Sequence, residues 1–332
     1  MASSSSIPEI LNQDQDQQQL QQHQGQLERA AYLLAISTMK LKEYQLRVQV
    51  ENPVDFSSLI HHSCNIKKFY NTQKWKDYFR MLNGPTYKAL VRHFWVRATI
   101  FDRQAADAEE RDLVLCYPKL VGKSREEMML EPFNGTEIRS TVMGVPIRIT
   151  QEVIALVIGV EASGVYSGIE INNPKNSFWN DIVNMTLYNP TTPKKYDVLD
   201  MEKKMLFKIQ YENLLPKGGG SDRPSLAHKV FIHHLIKGDK INLPKYIFKY
   251  MEKELWKSQN KDRVWVPYGR LLSKIFHQGG IINALNQTRF YTIQMLDTVV
   301  GKVINGKTLK NMQLIREFTP LKTDMSESMV VS

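Results

Sequence analysis

Three times between residues 224 and 279 the chain places a proline ahead of apolar residues spaced three and four apart. Pro224 precedes Ala227, Val230, Phe231 and Leu235, and Gly238 follows them. Pro244 precedes Ile247, Tyr250, Met251 and Leu255; Pro267 precedes Leu271, Leu272, Ile275 and Phe276, with Gly279 behind. Proline fits a helix's first turn, where its missing N–H has no partner to lose, and glycine supplies left-handed backbone past the last turn. The spacing gathers each apolar set on one helical face. Three helices are expected here, each obliged to bury a face.

The same pattern recurs upstream. Leu27, Ala30, Ala31, Leu34, Met39 and Leu41 predict an amphipathic helix within 27–50, ended by Pro53. The Ser/Gln-rich residues 1–26 carry too few apolar groups to offset ordering entropy and are expected to be disordered, with the glutamine tract compatible with a coiled-coil extension. Pro85 suits the first turn of a helix to about Ile100, with Tyr87, Leu90, Val91, Phe94, Trp95 and Ala98 inward and Lys88, Arg92 and Arg97 outward. Residues 102–112 read as loop or surface helix. Ser124, with Glu126 and Glu127 following, predicts a short capped helix. Two further helices are expected over 174–188 and 198–215.

Strand signals are fewer. Ile138, Val142, Val145, Ile147 and Ile149 partly alternate around Met143-Gly144, which predicts a hairpin. Thr150 then looks like the cap of a helix so apolar over 153–158, up to Gly159, that deep burial is expected. Asn305-Gly306, between 299–304 and 307–312, predicts a second hairpin. The fold class expected is mainly α with a minor β component (α+β): a helical core with one or two short hairpins. Pro216 and the glycines up to Ser221 read as a linker between a helix-rich part, 53–216, and a basic three-helix part, 222–312, with a disordered tail over 313–332.

Net charge is +10, and its distribution matters more than its size. Residues 27–100 and 194–310 carry excesses of +7 and +12, whereas 101–193 carries −5. Such blocks favour acidic partners or serve as solvated lysine-covered faces. Two cysteines, Cys64 and Cys116, cannot build a secreted disulfide framework, so an intracellular, reducing location is expected, with nucleus and cytoplasm not distinguished. The longest apolar run, 153–160, falls short of the roughly 20 residues a membrane span needs, so no membrane partner is expected.

Reactive patterns are sparse. Gly122-Lys123-Ser124 ends like a phosphate-binding loop, but the position that must be glycine is Tyr117. His61, His62 and Cys64 lack the paired spacing of a zinc site and read as a partly exposed turn. His228 and His233 miss the i, i+4 spacing of a helical metal pair, and His234 continues an apolar stripe. No Gly-x-Ser-x-Gly elbow occurs, and Asp102, Asp107, Asp112, Glu126 and Glu131 read as an acidic surface. No catalytic residue, cofactor site or metal ligand is therefore assigned, and no enzyme activity is expected. What remains is a polyanion-binding candidate among the basic C-terminal helices: Lys245, Lys249, Lys253, Lys257, Arg263, Arg270 and Lys274, interleaved with Tyr246, Phe248, Tyr250, Trp256, Trp265 and Tyr268. Most of these aromatics fall at core spacing.

Three stretches carry a resemblance. Lys68-Phe69-Tyr70 with Trp75 and the run from Tyr87 to Trp95, then Val145-Pro146-Ile147-Arg148-Ile149-Thr150 with Ile158-Gly159-Val160, then Ile241-Asn242-Leu243-Pro244 and the run from Trp265 to Leu272, resemble the plant transposon protein domain over roughly residues 65–285. The resemblance rests on hydrophobic and aromatic spacing. It implies a non-catalytic protein of transposable-element origin, acting through self-association or a protein partner, with nucleic-acid binding as the alternative. It carries no catalytic residues to this chain.

Overall fold

The computed structural model describes residues 39, 41–168, 176–216, 223–259, 265–288 and 294–321. The Ser/Gln-rich tail, its coiled-coil extension, the helix expected before residue 39 and the glycines of the linker lie outside the described residues. Among those described are thirteen α-helices and seven short strands, a mainly helical α+β fold.

Residues 41–50 correct the expected helix. They form a 3-10 turn, Glu43–Gln45, and then β1, Arg47–Val48. The helical apolar set ends at Leu41, and pairing takes over: Val48 sits in parallel register with Val266, and Gln49 N donates to Val266 O at 2.8 Å. Three short helices follow: α1, Phe56–His61, α2, Lys67–Thr72, and α3, Lys76–Met81. The helix predicted from Pro85 starts later. β2, Thr86–Tyr87, first pairs antiparallel with β7, Thr298–Val299, and α4 then spans Lys88–Arg97. Its inward set is as expected, with Leu90, Val91, Phe94 and Trp95 buried.

After β3, Thr99–Phe101, the acidic stretch forms a surface helix, α5, Arg103–Cys116, capped by the Asp102 carboxylate on Ala105 N. The helix expected after Ser124 is a single turn. Ser124 and Glu127 do exchange capping hydrogen bonds, but Met129 adopts φ 59°, a left-handed conformation that ends the turn, and Leu130 N closes back on Arg125 O. The first hairpin forms as the alternation predicts: β4, Glu137–Val142, and β5, Val145–Ile149, with Val142 opposite Val145. Met143 and Gly144 both have positive φ, as a two-residue hairpin turn requires. β3 completes this three-stranded sheet.

Thr150 caps α6, Gln151–Ile158, and Gly159 closes it at φ 64°. Deep burial is not observed. Only Ile154 and Ile158 are fully enclosed, one apolar stripe against the neighbouring helix, and Leu156 is 81% exposed. Then come α7, Asn176–Leu187, and α8, Met201–Ile209, which widens into a π turn over Gln210–Leu214. The three proline-led helices appear as α9, Leu226–Lys237, α10, Leu243–Ser258, and, after β6 (Trp265–Val266), α11, Gly269–Gln278. A short α12, Ile281–Thr288, follows.

The second hairpin is absent among the described residues. Asn305 instead caps α13, Gly306–Asn311, accepting from Lys307 N while Thr308 Oγ1 accepts from Asn305 N. Ile304 finds its partner elsewhere, donating to Pro53 O beside a parallel bridge to Val54. The tail is seated further than expected. Phe318 stacks on His62 at 5.4 Å, and Thr319 N donates to His62 Nε2.

One continuous apolar cluster draws on residues from Met39 to Leu309, so both sides of the glycine linker feed the same core. The end of α8 is its polar centre. A helix terminus leaves carbonyls without intrahelical partners. Here Asn213 O accepts from Tyr78 Oη (2.9 Å), Leu214 O from Tyr268 Oη (2.8 Å), Leu215 O from His228 Nε2 (3.1 Å) and Pro216 O from Tyr250 Oη.

Candidate functional site

The basic residues expected to meet a polyanion divide by position. Lys245, Lys249, Lys253 and Lys257 recur every four residues along α10, forming one gently winding stripe. Lys249 pairs with Glu252 at 2.7 Å, Lys257 pairs with Glu254 at 2.6 Å, and Lys245 Nζ lies 5.1 Å from the Tyr166 ring centroid. Lys253 is exposed and Lys274 half-buried, while Arg263 lies outside the described residues.

Arg270 is a correction, because it is buried. Its Nε donates to Met81 O and its Nη1 to Pro85 O, both at 2.7 Å. The guanidinium covers Gly84 so closely that a Cβ there would fall 1.9 Å from Nη2. Below it the Glu51 carboxylate accepts from Arg270 N (2.8 Å) and Leu271 N (3.1 Å), capping α11 from inside the core. Burial pushes Glu51 up to about 7, against the pull of these amides and of the Arg270 charge. Arg270 is thus enclosed, with two of its donors held by backbone carbonyls, and does not belong to the exposed basic stripe.

Among the aromatics, Tyr246, Phe248 and Tyr268 are buried and Tyr250 packs against the core, as their spacing predicts. Trp256 is different: it is 63% exposed on the α10 surface next to Lys257 and one turn from Lys253.

A cleft of about 660 Å³ opens between the sheet and α10, lined by Phe101, Phe133, Arg148, Gln151, Phe248 and Lys249 among others. Both of its cations are paired, Arg148 with Glu131 and Lys249 with Glu252.

The candidate nucleophiles and metal ligands differ in exposure, with Cys116 exposed and Cys64 buried. His61 is exposed, His62 half-buried and Cys64 fully buried, a partly exposed turn as expected. Burial, with Glu202 and Asp200 adding to it, pushes the Cys64 thiol up to about 12, far from thiolate. His62 Nδ1 bonds Ser58 O. Gly122-Lys123-Ser124 lies in a surface turn where Lys123 pairs with Glu127 at 3.0 Å. Asp107 pairs with Arg103 at 2.9 Å. His228, His233 and His234 are all largely buried, matching the packed role expected for His234.

One surface was missed. α7 carries two apolar stripes. Trp179, Val183 and Leu187 face α9 and the core, whereas Phe178 and Met185 are 65% and 77% exposed on the other side, with Ile182 half-buried between them. The signal was legible as a second set at i, i+4 and i+7, beyond what one buried face requires.

No family model, curated protein or solved structure matches the chain.

Proposed function

We propose that this chain is a non-catalytic interaction module that self-associates through the outer face of α7. The observation that carries it is the row Phe178, Ile182 and Met185, an apolar stripe turned to solvent on a helix whose other side already packs. The occupant that suits it is a second copy of the same helix. In an antiparallel, two-fold arrangement Phe178 of one chain meets Met185 of the other, and the contact satisfies both at once. The twelve-residue helix carries one charged side chain, Asp181, so the pairing meets little like-charge opposition. Its length of about 18 Å gives less than a standard interface area, so the association is weak and concentration-dependent rather than obligate. The resemblance to the plant transposon protein domain supports an origin in a transposable element and an assembly role. The non-catalytic reading draws support from Cys64, which is held far from thiolate, and from carboxylates such as Asp102 and Asp107, which serve a cap and an ion pair.

Size-exclusion chromatography with light scattering tests this reading. The wild-type chain is expected to gain apparent mass with concentration, and F178D/M185D to remain monomeric with an unchanged melting curve. A wild type that stays monomeric when concentrated ends the proposal.

The exposed Trp256 favours a second reading. A ring flanked by Lys253 and Lys257 offers a stacking platform within a cationic stripe, the chemistry that holds single-stranded nucleic acid. Filter binding to a mixed-sequence oligonucleotide across salt is the check. Affinity is expected to fall as salt rises, and W256A to weaken it by about 1–3 kcal/mol. No retention at low salt removes this reading.

A further inference from the structure

We propose that His233, His234 and Asp239 form a binding site for a divalent cation of the zinc type, where the last turn of α9 meets α7. One ligand atom from each of the three lies within 4.8 Å of the others. Adjacent histidines point about 100° apart on a helix, so spacing alone argues against such a pair. The chain reversal after α9 supplies what spacing cannot. Gly238 takes φ 77°, Asp239 N folds back to donate to His234 O at 3.0 Å, and the Asp239 carboxylate arrives beside the ring, with Oδ2 2.8 Å from His234 Nδ1.

The neighbours prepare His233 for ligation. Thr186 Oγ1 donates its single proton to Ile182 O (3.3 Å) and lies 2.7 Å from His233 Nδ1. With that proton on Ile182 O the hydroxyl accepts from Nδ1–H, the tautomer that leaves the lone pair on Nε2 for a cation. Metal-binding histidines are usually fixed in this way, with the second nitrogen donating to an outer partner. The Trp179 ring stands edge-on to both imidazoles, 6.1 Å from His233 and 5.5 Å from His234, and limits their rotation.

Two imidazoles and one carboxylate suit zinc and its first-row neighbours, not calcium or magnesium. Tetrahedral ligands about 2.1 Å from a zinc ion stand roughly 3.4 Å apart. The His234–Asp239 pair must open slightly and the widest pair must close, both through side-chain torsions. Asp239 is exposed enough to turn, and a water from its open side completes the coordination. A cation that takes Nδ1 needs His234 to carry its one proton on Nε2, so the neutral ring rearranges its tautomer and no proton is lost.

The test uses the full chain, stripped with chelator and titrated with Co²⁺ followed by visible absorption, and with Zn²⁺ followed by calorimetry and thermal melting. One equivalent is expected, with an imidazole–carboxylate Co²⁺ spectrum, a raised Tm with Zn²⁺ and no response to Mg²⁺. D239N keeps a hydrogen bond to His234 on an accessible turn, so it folds; it and H233Q are expected to lose affinity at least roughly tenfold. Absence of binding overturns the proposal. So does binding that survives both substitutions, since it would then belong to Cys116 or to a histidine elsewhere.

Discussion

Replacing Glu51 by alanine is expected to destabilise the fold by about 3–4 kcal/mol, a loss seen as a lower urea midpoint at unchanged slope. The carboxylate is 1% exposed and accepts from the first amides of α11, Arg270 N and Leu271 N. Truncation leaves both donors buried without partners, and leaves the enclosed Arg270 guanidinium without its nearby acid. The pH dependence carries a distinct sign. Glu51 titrates near 7 in the folded chain and near 4.5 when solvated, because burial outweighs the amides and Arg270. Between those values the folded state binds the extra proton, so its contribution is complete below 4.5 and is lost as pH rises through 7, by about 3 kcal/mol in all. Glu51→Gln, which keeps one acceptor and cannot ionise, should cost less than alanine and flatten the stability profile over that window. A profile that slopes the same way in Glu51→Gln would show that the titrating group lies elsewhere.

Asn213→Ala is the second large loss, about 2–4 kcal/mol by the same measurement. Asn213 is fully buried in the π turn. Its Oδ1 accepts from Asn52 N at 2.6 Å, and its Nδ2 donates to Asn52 O at 3.0 Å, a side chain standing in for a strand. The bond ties the end of α8 to the segment preceding α1. Asn52 is in turn tied onward, donating to Glu212 and accepting from Lys302 N. Asn213→Asp keeps the acceptor but turns a second oxygen towards the Asn52 carbonyl, so it is not expected to rescue. Wild-type stability in Asn213→Asp would mean that only the Asn52 N–H contact matters.

How much of this was legible in the sequence depends on whether the signal was local. Pro244 and Gly238 marked helix ends by their own backbone constraints, and Met143-Gly144 marked a turn for the same reason. Asn305-Gly306 misled because asparagine serves equally as a helix cap. The choice between turn and cap was made by Pro53 and Val54, which claimed Ile304 from some 250 residues away. Arg270 was counted with a basic surface because its charge is visible and Glu51, 219 positions earlier, is not visibly its neighbour. Leu156 was expected inside because α6 is apolar all round, yet one stripe of it suffices for its packing. The His233, His234 and Asp239 grouping depends on the fold-back at Gly238, which residue spacing on an ideal helix does not represent.

A common thread connects Tyr78, Tyr268, Tyr250, His228, Glu51, Asn213 and Arg270: each spends its polar atoms on a backbone group of a distant segment. At these residues polar atoms are committed to holding one core shut, and the proposed self-association falls to the outer face of α7. The most direct measurement is light scattering along a dilution series of the intact chain and of F178D/M185D side by side. A mass that climbs with concentration in the first and holds at one chain in the second is expected. Equal masses for the two at every concentration would rule out self-association through α7.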